Sequence, residues 1–447
     1  MNWPASHSLI QHTFDVVVVG AGPAGMAAAI AASGRGNTVA VLDDNAAAGG
    51  QIWRHGLSHE HDSSTAQQRR TLQEFAVCGA KLFAGCRVVN APRAGVLDTW
   101  RDEEDVMERF QYKRLVLATG ARERFLPFPG WTLPGVYGAG GLQALVRGGF
   151  SVRGKRVMVA GTGPLLLAVA AHLKQDGANV ISLYEQAPIG RLIRFGIRLW
   201  NRPAKLLQAL QLAWQLRGTR IRRGCWPVAA HGANRLEAVE MTDGTRTWVE
   251  TCDLLACGFH LVSNMELPML LGCQVVQGRV MVDTLQRTSV PNIFCAGETA
   301  GVAGLDAALL EGRIAGLATA GAAAEAEALT RNAAAERSFA KAMDQAFALR
   351  PELACLSKPD TVLCRCEDVR HAEIAALLTQ GNTWTDAKLQ TRCGMGPCQG
   401  RICGPILETL FGIRNESVRP PIFPIPFAAL AYELCAETEI QTAQETQ

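Results

Sequence analysis

Four consecutive valines, Val16 to Val19, run without a break into Gly20-Ala21-Gly22-Pro23-Ala24-Gly25 and then into MAAAIAAS. A continuous β-branched run reads as a parallel strand buried on both faces. The glycines fit a tight turn that brings backbone close to a pyrophosphate, and the alanine-rich stretch fits a helix whose amino terminus faces that negative charge. A second strand, TVAVLDD, ends at Asp43, where an acidic side chain meets a ribose hydroxyl. Together these make one βαβ unit and predict an α/β protein built on a nucleotide-binding sheet. The uncharged run from Val16 to Ser33 approaches membrane-spanning length, but its glycines and proline divide it into strand, turn and helix, so no transmembrane segment is expected.

The same pattern returns at RVMVAGTGPLLLAVAAHL, with Gly161 and Gly163, followed by the strand NVISLYE ending at Glu185. Gly20 to Asp43 is 23 positions and Gly161 to Glu185 is 24, so the two units have nearly equal dimensions. The second departs from the pattern: Leu166 stands in the place of the third glycine and Pro164 lies inside the turn. Glu185 favours a free 2′-hydroxyl over a 2′-phosphate, so the unit fits an NAD- or adenosine-type nucleotide, held for hydride transfer or statically, or none. Residues 51–114 read as surface loops with a small inserted sheet or helix, 249–259 as a strand closing the second unit, and 321–350 as a connecting helix. Two more buried strands run through Arg114–Gly120 (RLVLATG) and Ser289–Glu298 (SVPNIFCAGE), and the proline-rich FLPFPGWTLPG between the two units reads as a hinge.

Forty-four Lys and Arg face 41 Asp and Glu, a net charge of +3, which supplies no field for nucleic acid. The amino-terminal segment has no signal-peptide pattern, so a cytoplasmic protein is expected. Of 14 cysteines, five crowd between Cys364 and Cys403. Cys364-x-Cys366 is followed after 31 residues by Cys398-x4-Cys403, and Cys393-x4-Cys398 offers a second pairing. Four soft thiolates suit a 2Fe-2S cluster, with glycines at 394, 396, 400 and 404 freeing backbone N–H groups to face sulfur; structural zinc more often shows paired CxxC knuckles. The chain has no CxxC, which removes the redox disulfide of thioredoxin-reductase-like and dihydrolipoamide-type enzymes. The histidines of HGLSHEH, His55, His59 and His61, read as a solvated loop, and no residue set marks a general base.

GAGPAG, the strand ending Ala118-Thr119-Gly120, and NIFCAGE ending Gly297-Glu298 together resemble the three signatures of glutathione-reductase-like flavoproteins, over about 300 residues. That resemblance implies FAD on the first unit, with Glu298 where the class has an Asp on the ribityl chain. It also implies that Gly50, Gln51 and Trp53 of GGQIWR lie along the isoalloxazine, although a buried structural tryptophan is an equal reading of Trp53. CRCEDV, TRCGMGPCQGRIC, ATGARERFLPFPGWTLPGV and RPPIFPIPFAAL narrow the likeness. They resemble the FAD and iron–sulfur subunit of heteromeric amine dehydrogenases, a family that includes opine (octopine or nopaline) oxidase, D-hydroxyproline dehydrogenase and hydrogen cyanide synthase.

This likeness implies a Rossmann-like flavoprotein with two dinucleotide-binding domains and a small helical carboxy-terminal domain similar to bacterioferritin-associated ferredoxin. Its ligands would be Cys364, Cys366, Cys398 and Cys403, with Cys393 nearby but not bound. The implied divisions are a discontinuous FAD domain (1–150 and 266–320), a second dinucleotide domain (151–265), a helical linker (321–360), the cluster domain (361–415) and a proline-rich tail (416–447). Implied partners are a D-amino-acid-oxidase-like FAD subunit that oxidises the substrate C–N bond and a small ferredoxin-like 2Fe-2S subunit. The apolar tail, Arg419–Leu430, is a candidate contact for them, or else packs on its own domain. Two other readings are an NADH-dependent reductase feeding a ferredoxin and a redox-sensing or scaffold module.

Overall fold

The structure is a computed structural model that describes residues 9–53, 65–414 and 417–430. The first unit runs β1 (Ile10–Val19), α1 (Pro23–Ser33), β2 (Val39–Leu42), α2 (Ala66–Val77), β3 (Lys81–Phe83), β4 (Cys86–Asn90), β5 (Val96–Arg101) and β6 (Val106–Leu117). β1 lies parallel between β2 and β6, with Val16 to Val19 paired to Val39–Leu42 on one side and Arg114–Leu117 on the other. That central position explains the unbroken valine run, since water reaches neither face. The expected small insert between the units is the antiparallel pairing of β4, β5 and β6, preceded by α2.

The chain then crosses through β7 (Ala121–Glu123) into β8 (Val136–Gly138), α3 (Ala139–Arg147), β9 (Arg156–Thr162), α4 (Pro164–Gln175) and β10 (Asn179–Glu185). Next come the helices α5 (Ile189–Leu199) and α6 (Pro203–Gln215) and the edge strand β11 (Arg220–Arg223). An antiparallel meander, β12 (Trp226–His231), β13 (Ala238–Thr242) and β14 (Thr247–Thr251), precedes β15 (Leu254–Phe259). The second sheet has the order β11-β10-β9-β15-β8. Two expectations are corrected here. Because β8 pairs with β15, residues 136–147 belong to the second unit, and the first ends near Gly120 rather than at residue 150. The single strand expected over 249–259 is two, parted at Asp253, whose carboxylate accepts the Arg156 N–H at 2.8 Å.

β16 (Leu261–Ser263) pairs with β7 and returns the chain to the first unit through α7 (Glu266–Leu270) and the small hairpin β17 (Val275–Val276) and β18 (Arg279–Val280). β19 (Ile293–Cys295) then joins the first sheet beside β6, so that domain is built from two stretches of chain. α8 (Leu305–Thr319) packs on α1 through glycines: a Cβ at Gly312 would lie 2.1 Å from the Ala24 carbonyl oxygen. α9 (Ala323–Ala346) is the connecting helix. The remaining elements are β20 (Val362–Cys364), β21 (Val369–Arg370), α10 (His371–Thr379), α11 (Trp384–Thr391) and α12 (Cys403–Phe411).

Leu363, Cys364, Cys393, Cys403 and Ile406 share one apolar core with Phe128, Trp131, Cys257 and Phe259, and Trp131 Nε1 donates to the Val362 carbonyl at 2.7 Å. The carboxy-terminal domain is therefore docked on the crossing and the second sheet. The tail is docked too. Ile422 is buried and its N–H donates to Val89 O at 2.9 Å, while Ala429 packs with Val89, Trp100 and Met107. It packs on the chain's own first sheet, with Phe427 left exposed. Large exposed apolar side chains include Phe427 in the tail, Ile189, Ile193, Ile197 and Trp200 on and just after α5, and Leu207, Leu210 and Trp214 on α6. Among the described residues no helix is long and apolar enough to cross a membrane.

Candidate functional site

The first glycine turn is held at backbone contact. A Cβ at Gly20 would lie 2.2 Å from Ala118 O, and one at Gly25 only 1.7 Å from Gly20 O, so α1 starts hard against β1 and β6. Pro23 opens α1 after Gly22, where a missing N–H costs nothing. Asp43 closes the turn from the end of β2, one oxygen accepting the Ala21 N–H at 2.5 Å and the other the Asn45 N–H at 2.8 Å. Gly50, at φ +60, stacks on Gly22, where a Cβ would lie 2.9 Å from the Gly22 Cα. This lays the GGQIWR segment along the turn, with Gln51 exposed and Trp53 buried among Val16, Val18 and Met26. The Trp53 side chain lies in the core of the first unit.

The other two flavin motifs converge on the same place. Gly120 N–H donates to Thr299 Oγ1 at 2.9 Å, and Thr119 O accepts from Asn264 Nδ2 at 2.7 Å. Gly297, at φ +73, packs against Ala24, where its Cβ would lie 2.7 Å from the Ala24 Cβ, and its N–H donates to Glu311 Oε2 at 3.1 Å. Glu311 is 1% exposed and also binds Arg337 at 2.5 Å. Burial raises the Glu298 carboxyl, and no hydrogen bond opposes that shift. A cradle that admits no side chain, a helix amino terminus and a carboxylate short of a donor fit FAD. Thr299, Asn264, Glu311 and Arg337 are missing from the motif reading. The one signal for Glu311 is a charge set among Ala307, Ala308, Ile314 and Ala315 on an otherwise apolar helix face.

The second turn is built differently. Gly161, at φ +136, approaches Gly258, where a Cβ would lie 1.9 Å from the carbonyl oxygen, but Leu166 is buried at the third position, its side chain against Gly258. Both oxygens of Glu185 are engaged: Oε2 accepts the Gly163 N–H at 2.7 Å, and Oε1 accepts Thr162 Oγ1 and the Ala187 N–H, each at 2.8 Å. Burial still outweighs these bonds and raises the carboxyl. The end of the linker lies against this turn, with Phe347 O accepting from Thr162 Oγ1 at 3.1 Å, Gln186 Nε2 at 3.2 Å and His260 Nε2 at 2.9 Å.

Cys364, Cys393 and Cys403 place their sulfur atoms within 4.8 Å of one another, all three buried. The thiols of Cys393 and Cys403, then the Gly394 N–H, hold the Cys364 thiol far below its usual value against the opposing effect of burial. Cys366 and Cys398 form a neighbouring, more exposed pair, the backbone N–H of Cys398 facing the Cys366 sulfur. This departs from the expected grouping, because Cys393 belongs to the trio. Arg392 ends α11 in the left-handed conformation, φ +63, and that turn drives Cys393 inward. A set of soft sulfur donors beside free amide N–H groups fits an iron–sulfur site. The described cysteines are all free, and the histidines at 55, 59 and 61 lie outside the described residues. A cleft of about 1840 Å³ is lined by Arg122, His260, Glu266, Gly394 and Arg401 among others.

A family model described as pyridine nucleotide-disulphide oxidoreductase matches residues 14–326. Hydrogen cyanide synthase subunit HcnB of Pseudomonas aeruginosa is 33% identical over 455 residues, covering 92% of this chain and 97% of the relative. One subunit of the opine oxidase of Rhizobium meliloti (strain 1021) is 31% identical over 459 residues, covering 94% and 98%. Rhodocoxin reductase of Rhodococcus erythropolis is 28% identical over 302 residues, 64% of this chain and 65% of the relative. Among solved structures, L-proline dehydrogenase from P. horikoshii aligns with a TM-score of 0.63 at 18% identity, covering 95% of this chain and 81% of that one, a likeness of fold. The flavin cradle, the paired sheets and these relatives agree: the chain belongs to the pyridine nucleotide-disulphide oxidoreductase family, as an oxidoreductase related to HcnB and to the matching subunit of opine oxidase.

Proposed function

We propose that this chain is the electron-transfer subunit of a heteromeric dehydrogenase that oxidises the C–N bond of an opine or an amino or imino acid, such as octopine, nopaline or D-hydroxyproline. A D-amino-acid-oxidase-like partner would carry out the substrate chemistry, and a small ferredoxin-like subunit would complete the complex. The observation that carries this reading is the union, in one chain, of a flavin cradle and a cluster of five cysteines, three of them with their sulfur atoms in one buried group. When bound, FAD exchanges two electrons and a 2Fe-2S cluster one, so together they match a two-electron donor to one-electron carriers. The residues proposed to hold FAD are Gly20, Gly22, Pro23, Ala24, Gly25, Asp43, Gly50, Ala118, Thr119, Gly120, Gly297 and Glu298. Cys364 and Cys403 belong both to the ligand set implied by resemblance and to the buried trio, so they are the ligands on which the proposal rests. Relatives named as subunits and the exposed apolar residues of α5 and α6 support a heteromer.

A second reading, an NADH-dependent reductase, is favoured by the match to rhodocoxin reductase. The second turn speaks against it. Leu166 stands where the third glycine would be, and the linker packs on this turn through Phe347 O, which accepts from Thr162 Oγ1 and Gln186 Nε2. An anaerobic absorbance and EPR titration of the purified chain separates the two. The expected result is one flavin and an iron–sulfur signal that both stay oxidised with NADH; prompt bleaching by NADH would put the reductase reading in its place.

Glu298 gives a further expectation. Glu298→Ala should weaken flavin retention by about 10- to 100-fold, the value of one hydrogen bond to a charged group, about 1.5–3 kcal/mol. Flavin fluorescence during dialysis against apoprotein measures it, and unchanged affinity would remove Glu298 from the site.

A further inference from the structure

We propose that Arg122 is a positioning residue that sets the distance between the cysteine loop and the flavin-binding segment, and so the rate at which electrons pass between them. The inference rests on the reading above that both cofactors are carried by this chain. Arg122 lies two residues after Gly120, in the strand that leaves the flavin motif. Its Nη1 donates to Asn264 Oδ1 at 2.7 Å, and Asn264 Nδ2 donates to Thr119 O at 2.7 Å, so one end of the network is the motif itself. Its Nε donates to Arg401 O at 3.1 Å. Arg401 lies between Cys398 and Cys403, and its own N–H donates to Cys398 O at 3.0 Å, so the other end of the network is the cysteine turn.

Glu266 completes the clamp. Arg122 meets both of its oxygens, at 3.2 and 2.9 Å, and the Arg401 Nε lies 3.8 Å from the nearer one. Burial pushes the Glu266 carboxyl up, but the two guanidinium groups outweigh it and keep it below its usual value. Three partners in three directions need the planar fork of arginine, and a lysine ammonium satisfies at most part of the set. The clamp is local. The cysteine domain is held independently by its shared apolar core and the Trp131–Val362 bond, and Arg401 is anchored through Ile422 O at 2.5 Å and over the Phe423 ring at 3.9 Å. Loss of Arg122 therefore loosens the turn without undocking the domain.

The test compares Arg122→Lys and Arg122→Met with the unaltered full chain. Flavin and iron per chain, the EPR line shape, and the rate of electron redistribution after rapid anaerobic photoreduction are measured. Both variants are expected to keep their cofactors. Redistribution should slow severalfold in Arg122→Met, because the rate of electron transfer between two held cofactors falls steeply with their separation, and Arg122→Lys should fall between. An unchanged rate in Arg122→Met overturns the proposal; if that variant does not fold, an unchanged rate in Arg122→Lys overturns it. Absence of an iron–sulfur signal in the unaltered chain is a different failure, which defeats the two-cofactor reading itself.

Discussion

Cys364→Ser is expected to abolish the iron–sulfur signal and the bound iron while leaving one flavin per chain. Cys364 is the thiol on which Cys393, Cys403 and the Gly394 N–H converge, it is 1% exposed, and it belongs to both ligand sets. Serine keeps the volume but offers a hard oxygen in place of a soft thiolate. The flavin cradle is built on the other sheet from other elements, so the two losses should not couple. Iron analysis, EPR and flavin absorbance read the outcome together, and full iron content in Cys364→Ser would defeat the cluster assignment. Cys393→Ser and Cys398→Ser then separate the two ligand sets. Loss of iron in Cys398→Ser alone supports the set implied by resemblance, and loss in Cys393→Ser supports the buried trio.

Glu311→Ala should cost about 1–3 kcal/mol, the usual consequence of leaving buried donors without a partner. The Gly297 N–H and the Arg337 Nε each lose an acceptor, while Arg337 Nη1 keeps the Ala300 carbonyl at 2.9 Å. Against a total stability of about 5–15 kcal/mol that is a large share, and Gly297 supports the third flavin motif, so flavin occupancy should fall with the denaturation midpoint. Replacing both Glu311 and Arg337 by leucine should recover part of the loss, because neither charge is then stranded. Urea unfolding of the unaltered chain and the two variants measures the loss and its recovery. A cost below about 1 kcal/mol for Glu311→Ala would show that the pair contributes little beyond its solvation.

Motif residues are legible because each answers to a local rule. Gly20 and Gly25 are glycines because a carbonyl stands where their Cβ would be, and a short window of sequence carries that requirement. Glu311 and Arg337 obey no such window: the partners are 26 residues apart and meet only because α9 folds back on α8. The proline-rich tail reads as surface offered to a partner because its apolar residues have no neighbours in sequence. Its neighbours are Val89, Trp100 and Met107, more than 300 positions away.

The sequence by itself determined the two βαβ units, their order and the thiol-rich module, since strand burial, turn geometry and sulfur chemistry are short-range properties. Only the tertiary structure decided which thiols share a pocket, because a left-handed turn at Arg392 aims Cys393 inward. It also decided that Phe347 lies on the second turn, and that Arg122 ties the flavin motif to the cysteine loop. Those contacts join segments 185 and 279 positions apart. Their geometry is fixed by how the sheets and helices pack together, and no local pattern of residues encodes it.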